Sequence, residues 1–175
     1  MEIWDVYDRD RIRTGKTMVR GSDFEADAYH MVVHVCIFHS DGRMLIQQRQ
    51  PFKEGWPNLW DITVGGSAVA GDSSQSAAER EVLEEIGYQI NLQAVRPSLT
   101  INFEKGFDDI YLVEDDVEIS SLKVPSEEVQ KVKWATSEEI ISMIHSGNFI
   151  PYHTSLIELL FDLRKGLGGH SKSAQ

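Results

Sequence analysis

The sequence predicts an α/β fold in which a mixed β-sheet lies between layers of helix. Three features carry that prediction. Short runs rich in β-branched and aromatic residues, such as residues 29–38, recur along the chain. Three stretches with helical apolar spacing are interspersed among them rather than gathered at one end. The first two helical stretches begin near Asp72 and Thr136, and the first stops at Gly87. This mixed order fits a three-layer α/β/α arrangement. With 175 residues, 41% hydrophobic and 26% charged, the chain suffices for one domain with a full core, expected over residues 1–165. Residues 166–175, with Gly and Ser beside His170, read as a loose tail.

Taken in order, residues 2–8 alternate acids with Ile3, Val6 and aromatics and predict a short strand, whereas residues 9–21 read as a polar, basic loop. Residues 29–38 predict a longer strand, and Asp41-Gly42 leads into residues 43–49 as the second arm of a hairpin. Between positions 49 and 60 the sequence RQPFKEGWPNLW combines two cations, two tryptophans and two prolines. Such a loop presents Arg49 and Lys53 to an anion while its aromatics anchor it to the body.

Residues 73–86 predict the first helix. Asp72 is placed to cap it, Gln75 stands where a capping-box partner belongs, and Gly87 ends it. Ala78, Val82 and Ile86 form an i, i+4, i+8 stripe for packing. On the adjoining face, at about 100° per residue, Glu84 and Glu85 fall about 60° and 40° to either side of Glu81. Three carboxylates crowded in this way repel one another unless a cation lies among them, and hard oxygen ligands suit Mg²⁺ or Mn²⁺. Arg80, four residues before Glu84, is placed to fix that carboxylate's rotamer.

Beyond the helix, residues 88–94, 99–103 and 109–114 read as strands. The acids between Glu104 and Glu118 read as solvated strand edges and turns. A strand ending at Trp134 precedes a helix that starts at Thr136-Ser137-Glu138-Glu139 and carries Ile140, Ile141 and Ile144. The last helix, residues 152–164, offers Leu156, Leu159, Leu160 and Leu163 for packing.

A net charge of −11 argues against binding a nucleic acid polymer, which requires a density of Lys and Arg. No run approaches the ~20 apolar residues of a membrane span, and the N-terminus lacks an apolar signal segment, so a soluble cytoplasmic protein is expected. The lone cysteine, Cys36, sits in an apolar run and reads as a small core residue that forms no intrachain disulfide.

From Gly66 the pattern is Gly, five residues, an acid, seven residues, then Arg80-Glu81-Val82-Leu83-Glu84-Glu85-Ile86-Gly87-Tyr88. This resembles the Nudix box of the Nudix hydrolase superfamily, with Asp72 where the family usually has Glu and Tyr88 in place of an aliphatic residue. The resemblance implies a Nudix-type α/β/α sandwich and an enzyme that cleaves the diphosphate bond of a nucleoside diphosphate derivative or another organic diphosphate. It implies metal ligation by Glu81, Glu84 and Glu85, with the carbonyl near Gly66 as a further ligand, and Mg²⁺ or Mn²⁺ as the ion. The general base in such enzymes lies in the box or on a later loop, so Glu81 and the Glu127-Glu128 pair are candidates and Glu128 is preferred. Arg80 completes the catalytic set, and relatives are commonly homodimers.

A narrower resemblance runs from His30 to Asp72. There the order of residues is similar to isopentenyl-diphosphate isomerases of the same superfamily. Arg49 and Lys53 match positions that bind diphosphate, and His30 matches one that ligates metal, although core packing is the plainer reading of a strand histidine. Where those enzymes carry a catalytic Cys and a metal-binding His, this chain has Gly65 and Ser67. A hydrolase is therefore expected, with an isomerase-like enzyme or a catalytically weak nucleotide-metabolite sensor as the alternatives.

Overall fold

The computed structural model describes residues 2–166 and 168–170; most of the expected 166–175 tail lies outside them. β1 (Ile3–Tyr7) and β2 (Arg13–Val19) pair antiparallel as a small separate sheet. β2 corrects the expected loop over residues 9–21. Almost every residue in it is exposed, so it shows none of the apolar alternation by which a strand is recognised, and it is ordered by its backbone pairing to β1.

β3 (His30–Phe38) is the spine of the main seven-stranded sheet. After the Asp41-Gly42 turn comes β4 (Met44–Arg49), followed by β5 (Trp60–Asp61) and β6 (Val64–Ser67). The expected hairpin holds only at its turn. β3 and β4 share the single register pair Phe38↔Met44 before they diverge, β3 to pair with β6 and β4 to pair with β5 and a later strand. Next come α1 (Ser74–Ile86), β7 (Leu99–Phe103), β8 (Gly106–Glu114), β9 (Val129–Ala135), α2 (Ser137–His145) and α3 (Thr154–Leu163). β8 lies parallel to β3 along its full length, whereas β7 is antiparallel to β8 and β9 to β4, so the sheet is mixed.

Alternation along β3 distributes the core. Val33, Val35 and Ile37 point to one face, where Ala77, Ala78, Val82 and Ile86 of α1 cover them. Cys36 and Phe38 point to the other, against Ile140 of α2 and Ile157, Leu160 and Phe161 of α3. Fully burying an aliphatic side chain of this size contributes ~1.5–3 kcal/mol, so the α1 stripe anchors that helix firmly to the sheet. On α3 Leu160 is buried and Leu156 packs against the core as expected, but Ile157 and Phe161 join them and Leu159 is exposed.

The expected strand over residues 88–94 is absent. Tyr88, Ile90 and Leu92 do pack on the core with strand-like alternation. The segment nonetheless has no neighbouring strand, and its Leu92 N–H donates instead to the Glu79 carboxylate at 2.6 Å. α1 is capped by Ser73 and Ser76 in a reciprocal box, not by Asp72 and Gln75, and Gly87 closes it in the left-handed conformation at φ 68°. Thr136 and Glu139 form the capping box expected for α2.

Candidate active site

α1 and β6 bring the box residues together. Arg80 is the hub: its guanidinium donates to Glu81 at 2.8 Å, Glu84 at 3.1 Å, Asp72 at 3.0 Å and the Ser67 carbonyl at 3.1 Å. The expected i, i+4 pair with Glu84 is thus one of four contacts. Asp72, released from capping, also accepts from the Val69 N–H and the Ser76 hydroxyl, and so ties the loop to the helix. Burial works against the Arg80 charge, but Glu81 and Asp72 outweigh it and hold its pKa above the ordinary guanidinium value.

Gly66 lies on β6 opposite Val33, and a Cβ there would overlap the Glu81 carboxylate. The missing side chain is what lets Glu81 lie against the strand backbone. Glu85, 5% exposed, accepts from Gln47 Nε2 at 2.7 Å. Gln47 Oε1 is itself buried and finds no donor among the described residues. Burial raises the Glu81 pKa, an effect Arg80 opposes. Burial, followed by the charges of Glu81, Asp61 and Glu128, pushes Glu85 well above the usual carboxylate range. Both shifts come first from burial, and neighbouring acids add to each.

Gly66, Arg80, Glu81, Glu84 and Glu85 line a cleft of about 950 Å³. Its other side carries Arg49, Lys53, Glu127 and Glu128, so every site residue expected from the sequence except His30 lies on one cavity. Arg49 donates through Nε to the Gly55 carbonyl at 3.0 Å and faces Asp61 at 3.8 Å, while Lys53 is ion-paired with Glu128. Of the aromatics expected to anchor this loop, Trp60 packs against the core, whereas Phe52 and Trp56 are 71% and 51% exposed and Phe52 lines the cleft. Polar contacts also hold the loop, including Gln130 Nε2 donating to the Arg49 carbonyl at 2.6 Å.

His30 stacks on Trp4 at 4.4 Å between ring centres, and its Nδ1 lies 3.0 Å from the Lys105 carbonyl, the arrangement of a satisfied core histidine. Asp108 and Asp109 of β8 are not the solvated acids the sequence suggested, although Glu114 at its end is exposed. Asp108 pairs with His34 Nδ1 at 2.8 Å, and Asp109, buried, accepts from Ser74 and Thr100. Burial opposes the His34 charge, but Asp108 overrides it and lifts the pKa to about 9. The His34 ring occupies the space where Gly65 would carry a Cβ.

Glu2 and Arg20 also line the cleft, and nothing local in the sequence signals it. They arrive there because β1 and β2 pair, which is a long-range event. Among the described residues, no three His, Cys, Asp or Glu side chains converge closely enough to form a ready-made metal site, since Arg80 serves the charges of Glu81 and Glu84.

The NUDIX domain family model matches residues 28–156. An uncharacterized Nudix hydrolase of Listeria monocytogenes is 45% identical over 170 residues, covering 97% of this chain and 99% of that protein. An isopentenyl-diphosphate Delta-isomerase of Citrobacter koseri is 27% identical over 126 residues, covering 67% of this chain and 68% of that one. Among solved structures, the DR0079 protein of Deinococcus radiodurans superposes with a TM-score of 0.70 at 23% identity, covering 91% of this chain and 97% of that one. Both the domain match and the Listeria relative span most of the chain. The protein therefore belongs to the Nudix hydrolases, pyrophosphohydrolases that generally cleave nucleoside diphosphate derivatives.

Proposed function

We propose that this chain is a Mg²⁺- or Mn²⁺-dependent pyrophosphohydrolase, with Glu81, Glu84, Glu85 and the Gly66 carbonyl holding the ion. The observation that carries the reading is that Glu81 and Glu85 line the cleft beside Gly66, and that burial, with neighbouring acids adding to it, raises both carboxyl groups. A divalent ion bound there supplies the charge that offsets the diphosphate and its leaving oxygen. Arg80 orients Glu81 and Glu84 from below, and Asp72 holds Arg80 in turn.

Arg49 and Lys53 face these acids across the cleft and bind the diphosphate. Lys53 is paired with Glu128 in the free protein. A diphosphate that engages Lys53 competes for that pairing and frees Glu128 to take a proton from the attacking water. Substrate binding and exposure of the base are in this way one event.

The isomerase alternative meets a steric obstacle. Restoring a thiol at position 65 would drive it into the His34 ring, which Asp108 fixes in place. Phosphate or nucleotide release from sugar nucleotides, dinucleotides, oxidised nucleotides and isopentenyl diphosphate, with Mg²⁺ and with chelator, tests the proposal. Metal-dependent cleavage of one compound supports it; isomerisation of the last compound without phosphate release overturns it in favour of the alternative.

A further inference from the structure

The cleft exceeds what the reaction itself requires. About 950 Å³ lies at the upper end of the range for sites that enclose whole small molecules, whereas Arg49 and Lys53 are enough for a diphosphate. Besides Arg80, whose guanidinium is engaged by Asp72, Glu81, Glu84 and Ser67, one more cation lines it. Arg20, at the end of β2, lies outside residues 28–156, the part shared with the family at large.

Arg20 is held in place from both ends. Its backbone N–H donates to the Glu2 carbonyl at 3.0 Å, closing the β1–β2 ladder, and its Nη1 donates to Glu2 Oε2 at 2.8 Å. Glu2 is fixed in turn, because its other oxygen accepts from Trp4 Nε1 at 2.7 Å and Trp4 is stacked on buried His30. A guanidinium has five N–H donors, and one of them is used by Glu2. The side chain is 60% exposed beside the cleft, and among the described residues its remaining donors are unspent. The glutamates that line the cleft disfavour anions, so an oriented guanidinium on this hairpin marks a point at which an anionic group is favoured.

We propose that Arg20, positioned by Glu2, is a specificity-determining residue that binds a second anionic group on the substrate, so that the favoured substrates are organic diphosphates bearing a further phosphomonoester or carboxylate. This rests on the hydrolase reading above. The fork of Arg20 suits the paired oxygens of such a group, and its place on the β1–β2 hairpin puts it apart from the loop that carries Arg49 and Lys53.

Matched pairs that differ by one phosphomonoester decide the matter: coenzyme A against dephospho-coenzyme A, and ADP-ribose 2′-phosphate against ADP-ribose. For the wild type, kcat/KM is expected to favour the phosphorylated member of at least one pair by about tenfold, mostly through KM, as one charge-assisted contact allows. Arg20→Ala brings that ratio to about one, and Arg20→Lys restores part of it. Equilibrium titration of both pairs with wild type and Arg20→Ala in Ca²⁺ gives the same ratio without turnover. A ratio of about one for wild type in both pairs, or one that Arg20→Ala leaves unchanged, overturns the assignment of Arg20. If the binding ratio behaves as expected but no compound is cleaved in Mg²⁺, the hydrolase reading fails and the Arg20 subsite stands.

Discussion

Glu85→Gln separates what the site costs from what it does. Glu85 is 5% exposed, and among the described residues its carboxylate accepts from Gln47 Nε2 at 2.7 Å. Glutamine keeps the shape, removes a buried charge opposed by Glu81, Asp61 and Glu128, and offers an N–H to the orphaned Gln47 Oε1. Satisfying a buried polar atom and relieving an uncompensated charge are together worth ~1–3 kcal/mol. In a chain of this length each kcal/mol moves the melting temperature by ~2–4 °C, so the variant should melt on the order of 5 °C higher than wild type in chelator at pH 7.5. The sign with pH follows from a raised carboxyl pKa. The penalty on wild type is absent below the ordinary value of 4.5 and grows as pH rises toward the folded-state value, so the gain of the variant should vanish near pH 4. Turnover with Mg²⁺ should fall roughly 100-fold, and Mg²⁺ should stabilise wild type but not the variant. Scanning calorimetry with and without chelator reads the stability, and product release reads the turnover. A variant that melts below wild type in chelator, or one that turns over normally, refutes the view of Glu85 as a strained metal ligand.

Three further outcomes follow from the same geometry. Gly66→Ala forces the Glu81 carboxylate aside and should cost ~1–3 kcal/mol of stability with a loss of turnover of at least tenfold, measured by denaturant unfolding and initial rates. Arg80→Lys keeps the charge but not the fork that reaches Asp72, Glu81, Glu84 and Ser67; kcat should drop ~10–100-fold and the Mg²⁺ concentration for half-maximal rate should rise. His34, raised from 6.5 to about 9, contributes stability that is complete below about pH 6.5 and lost as pH rises through about 9, a change of ~2–3 kcal/mol. Unfolding free energies at pH 6, 7.5 and 9 should show that decline in wild type and lose it in His34→Gln.

The parts of this protein that were legible in the sequence are those specified locally. α1 could be read because its apolar stripe, its acids and its terminal Gly87 all lie within one short segment. The same holds for α2 with its Thr136–Glu139 box, and for β3, whose mostly buried residues are rich in β-branched side chains. What failed depended on partners distant in sequence. β2 exists because β1 lies beside it, and residues 88–94 are irregular because no strand does. Ser73 displaced Asp72 as the cap because Arg80 engages the Asp72 carboxylate, a competition that the spacing of the box does not reveal.

The candidate site divides in the same way. Glu81, Glu84 and Glu85 were placed by helical phase alone, and the cleft joins them to Arg49, Lys53 and Glu128. Glu2 and Arg20 stayed hidden because they reach the cleft through the β1–β2 ladder, more than 40 residues before the nearest box position. Asp108 reads as one more surface acid in an acidic stretch until the parallel pairing of β3 with β8 sets it beside His34.

The central claim is that the acids of α1 hold the metal that drives diphosphate cleavage, and Glu84 tests it most cleanly. Its side chain is 59% exposed and, among the described residues, is ion-paired with Arg80, so Glu84→Gln removes a ligand without disturbing the core. The measurement is initial rate against Mg²⁺ concentration for wild type and Glu84→Gln, on the compound that wild type cleaves best, with melting temperature as a control. The prediction is saturable Mg²⁺ dependence, no turnover in chelator, and a loss of roughly 100-fold in the variant at unchanged melting temperature. Turnover that persists in chelator, or a variant as active as wild type, would contradict the account.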